Sequence, residues 1–292
     1  MTSIQQVRSP LPDSLCYLNG EFMPVAEARV PVLDRGFIFG DGIYEVVPFY
    51  HGRGFRVAQH FARFARSLAA IGLRNPLGDA DWQRILARLV EPSSADDRMV
   101  YIQVTRGVAR RDFAFPVGVE PTVFAMVSPL PRPSAAQREQ GIRLVSWNDI
   151  RWQRCDIKSV SLLGAVLARQ FAVDQGADEA AQFRDGWLTE ASSANLWVVI
   201  GGQLLAPPLD HLILEGIRYG FVADLCRASG IAFTARPIAR AEVAGADELL
   251  LTSATREVLP VVALDGKPIG SGCPGPVYAR LRGLYDAAIA AL

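Results

Sequence analysis

The amino-acid sequence predicts an α+β protein built from two domains. Its 292 residues exceed the length of one small domain, and half of them are apolar, so the chain can bury a sizeable core. Strand pairs and helical patterns are mixed in both halves of the chain. Between the halves, Ser128–Ser134 contains three prolines, which favour an extended connector over a helix or a central strand.

The first half of the chain begins with two hairpins. Asn19-Gly20 suits a type I′ turn, and His51–Gly54 supplies the second turn. Apolar residues such as Phe61, Phe64 and Leu68 then recur at helical spacing. The predicted elements are a hairpin over 17–22, a hairpin with strands at 43–50 and 55–57, helices at 59–71 and 81–90, and strands at 99–105 and 122–127.

The second half mixes three helices with paired strands. Turn residues mark its hairpins at Asp185-Gly186, Gly201-Gly202 and Asp265-Gly266. The remaining elements are strands at 142–147 and 248–252 and helices at 161–175, 215–228 and 277–291. We therefore predict a loose N-terminal extension over residues 1–15, a small domain over 16–128, a linker over 129–134 and a larger domain over 135–292.

Composition and charge exclude several classes of protein. Thirty basic residues balance thirty acidic ones, which leaves no electrostatic footprint for nucleic acid or an anionic membrane. Apolar runs such as Leu196–Ile200 are only as long as a strand, so no transmembrane helix is predicted. The N-terminal residues lack the apolar core of a secretory signal. The four cysteines are far apart, so we expect a reducing cytoplasm and no disulfide framework.

The motifs of several enzyme classes are absent from the sequence. The three histidines form no H-E-x-x-H motif and no cluster with cysteine, which predicts no catalytic metal. Neither G-x-S-x-G nor G-x-x-x-x-G-K-[ST] occurs. The segment Gly40–Glu45 begins like a dinucleotide-binding fingerprint but ends in Glu and precedes a strand. We therefore interpret it as a tight turn.

Two lysines, Lys158 and Lys267, are the only side-chain amines available to the chemistry. Lys267 lies in the turn of a predicted hairpin, where we expect it to be solvated. Lys158 lies near a predicted helix start, among apolar and hydrogen-bonding neighbours. An adjacent cation or partial desolvation there would favour the neutral amine, which forms Schiff bases. A surface lysine at a helix entry is the alternative interpretation.

Three polar segments are candidates for ligand contacts. Leu188–Asn195 starts as a strand and breaks into small residues that allow a ligand near the backbone, and the Glu190 carboxylate is able to pair with a ring nitrogen. Glu215–Arg218 opens a helix and Thr252–Thr255 ends a strand, and backbone N–H groups at such places bind phosphate. Taken alone, a turn explains the first segment equally well, and a helix cap or a turn is the favoured interpretation of the other two.

Taken together, these segments resemble the fold-type IV pyridoxal-phosphate-dependent aminotransferases, with the D-amino-acid transaminases as the most similar group. The resemblance covers nearly the whole chain after about residue 15. It implies a small α/β sandwich domain, a larger pseudobarrel domain that binds the cofactor, and a homodimer. The matching segments are Asp34–Val47, His60–Arg63, Tyr101–Gly107, Asp149–Ser159, Leu162–Ala168, Thr189-Glu190, Ile213–Ile217 and Thr252-Ser253.

The resemblance also implies a role for each matching residue. Lys158 holds pyridoxal 5′-phosphate as an internal aldimine and moves a proton between Cα and C4′, while Glu190 pairs with the pyridine nitrogen. Arg63 binds the cofactor phosphate. The other implied cofactor contacts come from Glu179, Ser192, Ser193, Leu214, Ile217, Arg218, Ser253 and Ala254. The trap for the substrate α-carboxylate consists of Tyr44, Tyr101, Arg111 and Phe113.

Three of these positions depart from the pattern of the family. Phe113 stands where the family has a histidine two residues after Arg111, so the carboxylate trap loses one donor. Arg218 replaces a small hydroxyl residue, and Ala254 replaces another hydroxyl residue at the phosphate end. Arg218 either contacts the phosphate or the substrate carboxylate, or it faces solvent. These departures concern the substrate range and leave the cofactor assignment unchanged.

The sequence thus predicts a cytoplasmic, homodimeric, PLP-dependent transaminase of D-amino acids. Its donor would be D-alanine or a similar D-amino acid, its acceptor 2-oxoglutarate or pyruvate, and its kinetics ping-pong. Small amino and keto acids are the only partners expected, with neither nucleic acid nor a membrane. The alternatives are an (R)-amine or branched-chain L-amino-acid transaminase, an aminodeoxychorismate lyase, and a binding module without enzymatic activity.

Overall fold

A computed structural model describes residues 14–91 and 96–292. The predicted N-terminal extension, 1–15, lies outside the described residues apart from Ser14 and Leu15. The helices are α1 (Arg35–Phe39), α2 (Val57–Ala70), α3 (Asp79–Val90), α4 (Ala135–Glu139), α5 (Leu163–Asp174), α6 (Ile217–Ser229), α7 (Arg240–Ala244) and α8 (Pro276–Ala290). A 3-10 turn spans Val25–Glu27.

The strands fall into two sheets. The strands of the N-terminal half are β1 (Leu15–Leu18), β2 (Glu21–Pro24), β3 (Gly42–Tyr50), β4 (Arg53–Gly54), β5 (Arg98–Thr105) and β6 (Thr122–Pro129). Those of the C-terminal half are β7 (Ile142–Asn148), β8 (Glu179–Arg184), β9 (Trp187–Ala191), β10 (Asn195–Ile200), β11 (Gln203–Ala206), β12 (Phe233–Ala235), β13 (Glu248–Ser253), β14 (Glu257–Leu264) and β15 (Lys267–Pro268).

The described chain divides into two compact units. Unit 1 consists of residues up to Val57, Phe61–Leu130 and Ser159–Ser161. Unit 2 consists of Ala58–His60, Pro131–Lys158 and Leu162–Leu292. Two short segments, 58–60 and 159–161, are thus grouped apart from their neighbours in the chain. The predicted domains are consecutive segments of the chain. They therefore miss these two short segments, whose grouping depends on tertiary contacts.

Unit 1 is a six-stranded antiparallel sheet in the order β2-β1-β6-β5-β3-β4. Side chains alternate along its strands, so that Ile43, Glu45 and Val47 of β3 are buried while Tyr44 is half-buried. The helix α3 packs on β1, β5 and β6, and its Trp82 is fully buried. The buried face of the sheet therefore forms the core of unit 1.

Unit 2 is a nine-stranded sheet whose main path runs β12-β11-β10-β13-β14-β7-β8-β9, with β15 paired to β14. The pairs β14–β7, β7–β8 and β11–β12 are parallel, and the others are antiparallel. β9, at one end of this path, also packs against β10. The sheet therefore curls back on itself around a core of apolar residues, which confirms the predicted pseudobarrel.

Most predicted elements are present, and the errors have local causes. The second strand of the hairpin after β3 is Arg53–Gly54, so its prediction at 55–57 is wrong. The helices α1, α4 and α7 have five residues each, too few for an apolar period to appear in the sequence. The helix predicted from Ser161 begins at Leu163. Within the described residues, no helix is long and apolar enough to cross a bilayer.

Candidate active site

Lys158 lies in the loop that connects β7 with α5 and is half-buried. Its neighbours Ile157 and Ser159 are both buried, at 6% and 7% exposure. Ser159 belongs to unit 1, where it forms a bridge with Ile43 at the start of β3. Four loop residues, 159–162, separate Lys158 from the first residue of α5, so it lies near a helix start as expected. Lys267, in contrast, is exposed beside its hairpin turn as expected.

Glu190 lies on β9 and is 5% exposed. Three donors from different elements reach its carboxylate. The Arg151 guanidinium donates to Oε1, while Nδ2 of Asn195 and the backbone N–H of Leu214 donate to Oε2, each at 3.2 Å. Asn195 Nδ2 also donates to the Leu214 carbonyl at 2.9 Å. The structure therefore brings Glu190 and Leu214 together as the sequence suggested, and it adds two residues that the sequence reasoning missed.

Arg151 is itself fixed by a second carboxylate. Its Nε and Nη2 atoms donate to Oδ1 and Oδ2 of Asp149, both at 2.9 Å, so the fork of the guanidinium is fully matched. Asp149 also accepts from the Thr189 hydroxyl at 3.0 Å and lies 3.2 Å from Arg184 Nη2. The sequence offered one sign that Asp149 and Arg151 belong to the site: they lie in the same matching segment as Lys158.

Burial and the contacts with Arg151 shift the pKa values of Glu190 and Asp149 in opposite directions. Burial raises the pKa of Glu190, and the charge and hydrogen bond of Arg151 lower it, with a net upward direction. For Asp149, burial acts upward, but hydrogen bonds and charge from Arg151 bring its pKa below the ordinary value. Burial raises the pKa of the neighbouring Cys155 to about 11, so this thiol is neutral at pH 7. Arg151 is thus the main partner that lowers the pKa of Glu190 against the effect of burial.

A third buried carboxylate, Glu179 on β8, orders the loop after β9. It is fully buried and accepts hydrogen bonds from the hydroxyls of Ser192 and Ser193, the latter at 3.2 Å. The backbone N–H of Ala180 donates to it at 2.9 Å, and Arg256 Nη1 lies 3.3 Å away. The structure therefore joins Glu179, Ser192 and Ser193 in one polar cluster.

The helix α6 begins beside this group with Gly216 as its N-cap and Ile217 as its first residue. A Cβ at Gly216 would lie against Oδ1 of Asn195, so a larger residue there would displace the Asn195 side chain. Arg218 is 2% exposed, and its Nε donates to the hydroxyl of Tyr285 on α8 at 3.3 Å. The alternative that Arg218 faces solvent is therefore wrong. At the end of β13, Ser253 Oγ accepts from the Arg256 backbone N–H at 3.2 Å.

In unit 1, Arg63 on α2 is paired with a carboxylate of β3. Its Nε and Nη2 donate to the two oxygens of Glu45 at 2.7 Å each. Both side chains are buried, at 5% and 1% exposure. A buried guanidinium requires such a partner, and the fork fixes the direction of the Arg63 side chain. Glu45 is therefore a further residue that the sequence reasoning missed, although it lies within the matching segment Asp34–Val47.

Tyr44 and Tyr101 lie side by side on the opposite, half-buried face of this sheet. Their rings stack with centroids 5.7 Å apart, and the Tyr101 hydroxyl donates to Gln103 Oε1 at 2.7 Å. Gln103 faces Tyr44 across the β3–β5 ladder. Burial raises the pKa of Tyr101 to about 12, so its hydroxyl remains a donor at neutral pH.

Arg111 and Phe113 lie in the loop between β5 and β6, and both are exposed. The Arg111 Cζ atom lies 5.5 Å from the ring of Phe39 and 5.7 Å from that of Phe113, and the two rings are 5.4 Å apart. Within the described part of the chain, no carboxylate lies within ion-pair distance of Arg111. Its guanidinium thus rests on two aromatic rings with its charge uncompensated.

Comparison with known proteins identifies the family. The family described as Amino-transferase class IV matches residues 42–264, which is most of the chain. The chain belongs to the class IV aminotransferases. Among curated members, it is 39% identical over 264 residues to a D-alanine aminotransferase of Bacillus licheniformis, with 90% of this chain and 93% of that one covered. A D-alanine aminotransferase of Staphylococcus aureus is 39% identical over 267 residues, covering 91% and 94%.

Solved structures of class IV aminotransferases confirm the fold. A T.th. branched-chain amino acid aminotransferase, complexed with N-(5′-phosphopyridoxyl)-L-glutamate, has a TM-score of 0.89 and 25% identity and covers 97% of this chain and 96% of its own. A branched-chain aminotransferase of Escherichia coli, at 22% identity, has a TM-score of 0.90 with 95% of both chains covered. The expected fold-type IV architecture of two α+β domains is therefore correct.

Proposed function

We propose that this class IV aminotransferase transfers the amino group of D-alanine or a similar D-amino acid to 2-oxoglutarate or pyruvate in a ping-pong cycle. The observation that carries the choice of substrate is the uncompensated Arg111 guanidinium, which suits a substrate carboxylate. The D-alanine aminotransferases matched over nine-tenths of the chain support the same substrate class. The reaction class itself, amino transfer, belongs to the family.

The chemistry of the donor set fits pyridoxal 5′-phosphate, the cofactor of this family. A buried carboxylate, Glu190, suits a protonated ring nitrogen, and Lys158 is the only half-buried amine among the described residues. Backbone N–H groups at the start of α6 suit the phosphate. The resemblance to the family assigns Arg63 to the phosphate as well. The implied contacts of Leu214, Ser253 and Ala254 complete this proposal. When bound, the cofactor supplies the carbonyl that accepts the amino group and a ring that delocalises an electron pair.

Each residue of the chain then has a defined task. Lys158 Nζ would hold the cofactor through its carbonyl carbon, and as a free amine it would take the proton from the substrate Cα and deliver it to C4′ of the cofactor. The Glu190 carboxylate keeps the ring nitrogen protonated, and Arg151 lowers the pKa of Glu190 against the effect of burial. Because one lysine serves both half-reactions, its replacement by alanine stops both.

The substrate carboxylate is assigned to residues of unit 1. Arg111 supplies the charge, and Tyr44 and Tyr101, whose rings stack, supply further polar contacts; the Tyr101 hydroxyl donates to Gln103 in this structure. Phe113 contributes no donor in place of the family's histidine, and its ring instead lies beside the Arg111 guanidinium. We therefore expect a high KM for D-alanine and some turnover of (R)-primary amines, which have no carboxylate to bind.

We further propose a cytoplasmic homodimer whose larger domain, 135–292, binds the cofactor, with 16–128 as the smaller domain. Apolar side chains on α5 support the dimer, since Leu163 and Val166 are 71% and 56% exposed. All four cysteines are free thiols, which supports a reducing compartment. Sedimentation velocity on the purified protein tests the dimer, and a monomer at micromolar concentration would contradict it.

An amino-donor panel tests the proposed activity. Purified enzyme is supplied with D-alanine, D-glutamate, L-leucine or (R)-1-phenylethylamine at equal concentration, and the keto product is measured with 2-oxoglutarate as acceptor, or with pyruvate for D-glutamate. We expect the highest kcat/KM with a D-amino acid. A preference for L-leucine would favour the branched-chain alternative, and release of pyruvate from aminodeoxychorismate would favour the lyase. Lys158→Ala serves as the inactive control in every assay.

A further inference from the structure

The loop of residues 106–121 between β5 and β6, here called the Arg111 loop, carries most of its apolar side chains outward. Phe113, Phe115 and Val117 are 78%, 60% and 99% exposed. Exposed side chains contribute little packing energy, so they do not hold the loop in one conformation. The position of the Arg111 guanidinium must therefore be fixed by other contacts.

The start of the loop is held by backbone hydrogen bonds to Leu33 and Asp41. The contacts to residues 112–114 come from Arg35, the first residue of α1, which is 3% exposed. Its Nη1 donates to the carbonyl oxygens of Asp112 and Ala114 at 2.6 and 3.3 Å, and its Nη2 reaches the Phe113 carbonyl at 3.5 Å. Three successive carbonyls thus converge on one buried guanidinium. The backbone N–H of Arg35 donates to the Gly107 carbonyl at 2.9 Å, so Arg35 contacts the loop at two points.

The charge of Arg35 is paired with Asp41, a carboxylate that Arg35 shares with Arg106. Nε of Arg35 and Nε of Arg106 both donate to the same oxygen, Asp41 Oδ2, at 2.8 Å. Arg106 also donates to the carbonyls of Ile71 and Gly72 at 2.7 and 3.3 Å, which ties the start of the Arg111 loop to the end of α2. A buried charge persists only when it is paired and hydrogen-bonded, and here both conditions are met.

The same helix supplies the surface on which Arg111 rests. Phe39, at the end of α1, lies 4.8 Å from the Cζ atom of Arg35 and 5.5 Å from that of Arg111. Phe113, whose carbonyl Arg35 binds, forms the other side of this support. Arg35 therefore contacts both the backbone that carries Arg111 and the ring beneath it. A lysine in place of Arg35 has a single nitrogen, so it is unable to bind Asp41 and the carbonyls of residues 112–114 in the same way.

We propose that Arg35 is a positioning residue for carboxylate recognition: by binding the carbonyls of residues 112–114 it fixes the Arg111 guanidinium and so sets the affinity for the substrate carboxylate. Arg35 itself does not touch the substrate. The proposal rests on the proposed function, in which Arg111 binds that carboxylate. It predicts that replacing Arg35 raises the KM for amino acids and leaves kcat, which reports the chemical step, nearly unchanged.

The test compares Arg35→Lys and Arg35→Met with the control Arg282→Lys. Arg282 is also a buried arginine, 7% exposed and paired with Glu257 at 2.9 Å, but it lies in unit 2. Each holoenzyme is measured for kcat and KM with D-alanine, for turnover of (R)-1-phenylethylamine, and for amide hydrogen exchange over residues 108–119. We expect Arg35→Lys to raise the KM for D-alanine about tenfold, with kcat and amine turnover within about twofold of the unmutated enzyme.

Hydrogen exchange separates this inference from the proposed function. We expect faster exchange in the Arg111 loop for both Arg35 variants and unchanged exchange there for Arg282→Lys. Unchanged exchange in the Arg35 variants would overturn the positioning role, whatever the substrate. Faster exchange with an unchanged KM for D-alanine would also overturn it. If the unmutated enzyme fails to use D-amino acids, the proposed function fails on that result, and the KM for the preferred carboxylate-bearing donor replaces that for D-alanine.

Discussion

Replacing Arg151 by methionine removes the cation paired with Glu190 and one of the two cations beside Asp149, while keeping a side chain of similar length. Arg151 donates to Glu190 and forks onto Asp149, and the Glu190 side chain is only 7% exposed. A hydrogen bond to a charged group contributes about 1.5–3 kcal/mol, which corresponds to roughly one to two units of pKa. Burial already raises the pKa of Glu190, and without Arg151 only the hydrogen bonds from Leu214 and Asn195 remain to oppose this direction.

The sign of the effect on the pH profile follows from this direction. A carboxyl with a raised pKa takes up its proton at a higher pH, so the charge that holds the ring nitrogen protonated is lost earlier as the pH falls. We therefore expect the acid limb of the kcat profile of Arg151→Met to move upward by about one to two pH units. The affinity for pyridoxal phosphate, measured by fluorescence titration, should fall in the same pH range.

The control for this experiment is Arg282→Met, which removes another buried arginine from unit 2 without touching Glu190. Breaking a buried ion pair costs about 3–5 kcal/mol of folding stability, so both variants should lose thermal stability to a similar extent. Only Arg151→Met should shift the acid limb. An unshifted profile in that variant, with the cofactor still bound, would refute the assignment of Arg151 as the main residue that lowers the pKa of Glu190.

Three further substitutions test the site residues. Glu190→Gln should leave the cofactor bound, as measured by absorbance, but slow both half-reactions in stopped-flow experiments, and unchanged rates would mean that the ring nitrogen has another partner. Arg111→Ala should lower kcat/KM for D-alanine about a hundredfold and leave (R)-1-phenylethylamine turnover nearly unchanged; an equal loss for both donors would place the carboxylate trap elsewhere. Phe113→His should lower the KM for D-alanine about tenfold by restoring a donor, and a higher KM would instead assign the phenyl ring the main role in supporting Arg111.

The sequence predicted the parts of the fold that depend on short-range signals. Asn19-Gly20 and Asp185-Gly186 form hairpin turns in which the backbone takes positive φ, because these residue types accept that conformation. The helices α2 and α3 were predicted because each repeats an apolar face over three turns or more. The five-residue helix α1 was missed, since its stability comes from the Asp34 cap and from tertiary contacts of Arg35.

The site shows the same division between local and tertiary information. Lys158 and Glu190 were identified by residue type and motif, and their roles remain predictions. Arg151 and Arg35 were missed as site residues, because their importance lies in partners 39 and 77 positions away in the chain. Arg218 was left open between three environments, and only the packing of α6 on α8 decides that it is buried. Sequence alone therefore predicts the reacting groups better than the residues that hold them.

The central claim, that Lys158 carries the cofactor, has a direct test because the chain contains only one other lysine. Holoenzyme is reduced with borohydride and digested, and the pyridoxyl label is located by peptide mapping. We expect the label on the peptide that contains Lys158 and no turnover in the reduced protein. A label on Lys267, or a reduced protein that carries no label and retains activity, would contradict the account.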